Sequence, residues 1–212
     1  MPKMGLPKET VGPRLEPDAR RAHLLAVGAS VFGSKAYDEV QIDQIAQQAG
    51  VSRGLLYHYF PSKRAFFAAI VQGGYDEILK ATRPDPKLSP ADQLQAGLEA
   101  YLDYVQSHPH MYRAIFRSAA SLEQTVQEVV NRNLDLQARR ILKSFGGSST
   151  PHSLPYLAVR AWLAFLIQAV LDWLDHGARG KRQHLIDICV GALRGATVAA
   201  QQSANLKNAD LG

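Results

Sequence analysis

The 212-residue chain is 46% hydrophobic and 20% charged, ordinary proportions for a globular protein and enough chain for one large domain or two small ones. A net charge of +5, with nine Lys and Arg against six Asp and Glu in residues 1–64, is a mild bias toward an acidic partner and does not by itself name one. The lone Cys189 excludes an internal disulfide framework, and neither a signal-like N-terminal run nor a convincing membrane span is present, since Arg160 and Gln168 interrupt the most apolar stretch; a cytoplasmic protein is expected.

Residues 1–16 begin with three prolines, two glycines and no apolar periodicity, which predicts a mobile arm; a basic arm beside a nucleic-acid groove is the alternative. A first helix opens at Pro17 or Asp18, with Ala22, Leu25, Ala26, Ala29, Val31 and Phe32 as its inner face, and closes near Gly33. Tyr37 is expected to be a packed ring under the next segment rather than a reader of DNA.

The next stretch, Gln41 to Lys63, carries the main signal. Ile42, Ile45, Ala46 and Ala49 recur at three- and four-residue steps and give a short helix one apolar face. Gly50 ends it, because glycine takes the left-handed conformation without steric cost, and Val51 follows as an apolar plug. Ser52 is placed to cap a second helix from Arg53 toward Phe60, where Pro61 stops it or opens a third. Leu56, Tyr59 and Phe60 share one side of that helix, leaving Arg53, Gly54, Leu55, Tyr57 and His58 on another. Such a face suits a DNA groove: arginine reads guanine edges, tyrosine and histidine reach phosphates or bases, and glycine admits the duplex closely. Lys63 lies near the start of a further helix opened by Pro61-Ser62-Lys63, where a cation and helix-terminal amides both favour a phosphate.

At these residues the chain resembles the TetR family of transcriptional regulators. The match runs through Phe32, Ala36-Tyr37, Ile45-Ala46, Ala49-Gly50-Val51-Ser52, Gly54, Leu56-Tyr57-His58, Phe60 and Lys63. Two departures stand out. Gln41 and Gln44 replace the usual hydroxyl and acid of the capping box, and Leu55 replaces a threonine on the reading helix, an apolar group suited to a thymine methyl. The DNA-facing set is therefore Gln41, Ser52, Arg53, Gly54, Leu55, Tyr57, His58 and Lys63. The resemblance implies an all-α fold: a helix-turn-helix DNA-binding domain over residues 17–64, a connecting helix over 65–82, and an effector-binding and dimerisation domain over 83–212.

The connecting helix carries Phe66, Phe67, Ile70, Val71, Ile78 and Leu79 as its stripe, with Gly73-Gly74 as a potential bend. Three prolines between Arg83 and Pro90 mark the domain boundary. Helices follow over 91–107, 111–119, 122–145, 155–176 and 181–200, separated by His108-Pro109-His110, the loop 146–153 and the Gly-rich turn 177–180, with a frayed tail after Gln201. Helix 155–176 is apolar around its circumference and needs cover on more than one side. The last helix offers small and apolar groups. Leu171, Leu174, Leu185, Ile188, Cys189, Ala192, Leu193 and Ala196 are therefore expected to form a two-fold four-helix dimer interface; a monomeric core is the alternative.

The resemblance also implies a small-molecule pocket among Tyr101, Tyr104, Met111, Tyr112, Phe116, Gln124, Trp162, Phe165 and Gln168, rings and few charges that suit an apolar or aromatic effector and that a plain core would also contain. No cofactor, metal or catalytic set is expected. Ser/His/Asp order, HExxH and phosphate-loop patterns are absent from the sequence; Cys189 sits on an apolar face, and His108 and His110 lack a third nearby ligand. The expected function is a homodimeric repressor on a palindromic operator, released by an effector. Regulation by a protein partner or by abundance on the same fold is one rival, and an all-helical enzyme another.

Overall fold

Serine starts four of the helices. The Oγ of Ser52, Ser62, Ser89 and Ser153 accepts from the amide three residues on, in Leu55, Ala65, Asp92 and Tyr156, which satisfies one of the amides that a helix start otherwise leaves open. Proline in the first turn of the helices that begin at Pro17, Pro90 and Leu154 supplies a preset φ where no amide hydrogen is needed. The computed structural model describes residues 16–118, 124–147, 150–151, 153–178 and 181–209. These form α1 (Pro17–Ser34), α2 (Ile42–Gln48), α3 (Arg53–Tyr59), α4 (Lys63–Ala81), α5 (Pro90–Ser107), α6 (Pro109–Ser118), α7 (Gln124–Ser144), α8 (Leu154–Asp175) and α9 (Arg182–Ala209), with no strand among the described residues. The expected arm lies outside them save for Glu16, as do Ala119 and Leu122 at the expected ends of two helices and half of the turn after Gly177.

The buried side chains fall into two clusters. One joins Leu24, Phe32, Ile45, Leu56, Phe66 and Phe67 of the head to Met111 and Ile115 of α6 and Val126 and Val130 of α7. The other holds Leu98, Val105, Ala138, Trp162, Leu166, Val170 and Ile186 of the body. Helix α4 serves both, with Phe66 to Tyr75 in the first and Ile78 in the second. The head is thus fastened to the body twice, through α4 itself and through α6 lying on α1.

Several expectations change here. The inner face of α1 is Leu24, Gly28, Val31 and Phe32, while Ala22 and Ala26 are exposed; α4 and α6 approach α1 on a side two residues out of phase with the alanines. Helix α4 runs unbroken through Gly73-Gly74. Helix α9 continues to Ala209, because residues 201–209 contain no glycine or proline and several good helix formers. Helix α8 is, by length and composition, apolar enough to cross a membrane, although the sequence suggests otherwise; in this fold its inner face packs on α7 and α9.

Candidate nucleic-acid interface and internal cavity

The turn between α2 and α3 is made by Gly50, whose φ of +65° is the left-handed conformation that disfavours a side chain. Its amide donates to the Gln47 carbonyl at 3.1 Å and that of Val51 to the Ala46 carbonyl at 2.9 Å, closing α2. Ser52 then starts α3, its hydroxyl oxygen accepting from Leu55 at 3.1 Å. Leu56 and Phe60 plug the head core, so the opposite face points away from the body. Arg53, Gly54 and His58 are exposed there, Leu55 and Tyr57 half-buried. A Cβ added to Gly54 would approach nothing nearer than the Ser52 hydroxyl at 4.0 Å, so the fold itself has no need of a glycine.

The cations around this face are held loosely. Arg53 pairs with Asp43 at 3.0 Å, both side chains more than 60% exposed, and its guanidinium lies 5.5 Å from the Tyr57 ring centre. A pair so exposed is worth at most about 1 kcal/mol. Lys63 rests 4.5 Å above the ring of Tyr37, which is itself wedged against Phe32 and Phe67 at 5.8 and 5.1 Å. Burial lowers the Lys63 pKa and neighbouring Asp38 opposes the shift. Burial raises that of Tyr37, against Arg64 and with Asp38. Tyr37 is therefore packed, as expected, and is also the platform for Lys63, a role with no sequence signal because the two lie far apart along the chain. Gln41 is exposed at the start of α2 and forms no side-chain cap.

In the body a partly open cavity of about 100 Å³ lies between α4, α5, α6, α7 and α8. Three of the nine expected ligand residues line it: Tyr101, Phe116 and Trp162. Tyr112 stands behind Tyr101, hydroxyl to hydroxyl at 2.6 Å. The other five lie elsewhere. Tyr104 stacks on His108 at 4.5 Å, Met111 is spent in the head core, Gln124 is exposed at the start of α7, and Phe165 and Gln168 face outward from α8. Helical phase is the reason: the cavity takes Trp162, Leu163, Leu166 and Ile167 from α8, and Phe165 falls between these pairs on the far side. The wall also includes Tyr75, Thr82 and Arg140, which no periodicity singles out.

The expected dimer residues divide in the same way. Leu171, Leu174, Cys189 and Leu193 are buried inside the subunit, Leu185, Ala192 and Ala196 are half-buried, and Ile188 is exposed. The Trp162 indole donates to the Cys189 carbonyl at 2.8 Å, and burial pushes the Cys189 thiol up to about 11, a protonated packing group. The apolar side chains left facing outward are instead Leu157 and Phe165 on α8 and Ile188 and Val198 on α9.

Residues 24–70 match the bacterial regulatory proteins of the tetR family, and residues 90–194 the tetracyclin repressor-like C-terminal domain. The HTH-type transcriptional activator FasR of Mycolicibacterium smegmatis is 33% identical over 109 residues, 50% of each chain. The HTH-type transcriptional regulator EthR of the same organism is 30% identical over 104 residues, 46% of each. The match thus spans about half the length of these curated relatives. A crystal structure of a tetR-family transcriptional regulator from Streptomyces coelicolor superposes with a TM-score of 0.79 at 27% identity, covering 92% of this chain and 87% of that one. With head and body each matching their counterparts in one family, and the helix order preserved across almost the whole chain, this protein belongs to the TetR family of bacterial transcriptional regulators.

Proposed function

We propose that the protein is a ligand-responsive, DNA-binding repressor that acts in the cytoplasm as a homodimer on a palindromic operator. The observation that carries this reading is the unpacked face of α3, flanked by Lys63 on its aromatic platform. Arg53 gives up a weak exposed pair with Asp43 to meet a guanine edge, and Leu55 meets a thymine methyl. Tyr57, His58, Lys63 and the free hydroxyl hydrogen of Ser52 hold phosphates, with Gln41 beside them at the start of α2.

The dimer forms through the outward stripe of α8 and α9. Phe165 and Ile188 are 41% and 57% exposed, and Gly191 and Gly195 of α9 have open space where a Cβ would stand, so a second copy can approach closely. Two recognition helices then face two half-sites of the operator. A ligand in the body cavity acts by favouring one spacing of the heads over the other.

A gel-shift titration against the DNA upstream of the protein's own gene tests the reading. Lys63→Ala is expected to weaken binding to every sequence and to flatten its salt dependence by about one unit of slope, whereas Tyr57→Ala, which removes a neutral contact, is expected to weaken binding to every sequence with the slope unchanged. Arg53→Ala is expected to relax base preference at one position by about 1–3 kcal/mol. Unchanged binding in all three variants would remove α3 from the DNA interface.

A further inference from the structure

Arg140 of α7 is the single charged side chain among the described residues of the cavity wall. Its Nη1 donates to the Leu79 carbonyl at 2.9 Å, and its Nη2 to the Thr82 carbonyl and, at 2.5 Å, to the Thr82 hydroxyl. Leu79 belongs to the last turn of α4 and Thr82 caps it. No carboxylate meets this guanidinium among the described residues, and burial lowers its pKa, the mark of a desolvated charge. What compensates it is the partial negative charge of carbonyls at a helix C-terminus. The hydroxyl of Tyr75, two turns earlier on α4, lines the same cavity, is buried and has no hydrogen-bond partner among the described residues.

Building on the reading of this cavity as the effector site, we propose that its ligand is an amphiphile with an apolar body and one carboxylate-like head, and that the head competes with the end of α4 for Arg140. A carboxylate accepts two parallel N–H bonds from a guanidinium and binds it roughly twice as strongly as neutral carbonyls do. Once Arg140 turns to the ligand, the last turn of α4 loses its tether to α7. The same helix begins at Lys63 in the head, so loosening its far end changes how firmly the head is held. An uncharged ligand of equal shape fills the cavity and leaves the tether in place.

Tryptophan fluorescence of the full chain tests this, because Trp162 lines the cavity. The probes are octanoate and 1-octanol, with hydrogen exchange read at the Thr82 and Arg83 amides, which bond within the last turn of α4 at 2.9 and 3.3 Å. Octanoate is expected to bind at least ~10-fold tighter than octanol, a difference worth one bidentate charge-assisted pair, and it alone should speed exchange at those amides. Arg140→Met should abolish the preference and spare octanol binding. Gly97→Phe, which adds a ring at an open point of the cavity wall, should block both probes. Equal binding of the two probes to the native chain, with both blocked by Gly97→Phe, overturns recognition of the head group and leaves the cavity reading standing. Tight octanoate binding without faster exchange overturns the competition. If neither probe binds, or Gly97→Phe blocks neither, the cavity reading and the proposal fall together. The comparison of probes on the native chain decides the matter even if Arg140→Met fails to fold.

Discussion

Gly28 shows how a single residue sets the geometry of the head. A Cβ there would stand 2.4 Å from the Phe66 ring and 2.8 Å from the Ile70 side chain, far inside van der Waals separation, so α1 and α4 cross at this glycine. Alanine is the better helix former by about 1 kcal/mol, yet overpacking a filled core costs about 1–3 kcal/mol. With a ring at 2.4 Å the upper part of that cost applies, and Gly28→Ala is therefore expected to lower stability by up to about 2 kcal/mol, or a few degrees of melting temperature for a chain of this size. Thermal denaturation followed by circular dichroism checks it, and a variant as stable as the parent would mean that the helices separate without cost. The sequence marks Gly28 as a helix weakness only. Its role depends on a ring thirty-eight residues away.

At the scale of elements, α5 and α6 are joined by the hydroxyl pair of Tyr101 and Tyr112, 2.6 Å apart. Burial holds both tyrosines above the ordinary value of 10.0, and for Tyr112 the nearby Tyr101 adds to the shift. Below that pH the folded and unfolded chains both keep these protons, and stability does not depend on them. Above it the unfolded chain releases protons that the folded chain retains, so stability falls as pH rises, by up to about 1.4 kcal/mol per pH unit for each group. Urea denaturation between pH 8 and 11 should give a steeper alkaline decline for the native chain than for the variant with both Tyr101→Phe and Tyr112→Phe. Identical slopes would mean that the pair is hydrated. The prolines before α5 marked its start to within a residue, because prolines act locally, whereas α6 begins at Pro109 and not at the expected Met111, since proline fits the first turn of a helix as readily as a break. The face each helix turns inward was less legible, since Tyr104 and Tyr101 are both aromatic and only one meets the cavity.

For the whole molecule, the proposed dimer rests on the outward side of α8 and α9. Leu157, Phe165, Ile188 and Val198 are all more than 40% exposed, an apolar stripe of the kind that marks an interaction surface. Ile188→Glu is expected to convert a dimer to a monomer in light scattering and to abolish tight binding to a palindrome while leaving helical content unchanged. Retained dimers would move the interface to another face. Cys189→Ser is the informative contrast: Cys189 is buried beneath Trp162, so this change is expected to act on stability and not on assembly.

The sequence by itself determined the helix-turn-helix, its exposed Arg53 and His58, the all-α class and most helix starts, because capping serines, a left-handed glycine and apolar spacing work within a few residues of one another. Tertiary structure alone decided which side of α1, α8 and α9 is buried, that Tyr37 carries Lys63, and that Arg140 ties α7 to the end of α4. A helix apolar all round offers several faces of nearly equal burial energy, and a long cation offers its charge in many directions. Only the position of the neighbouring helices chooses among them.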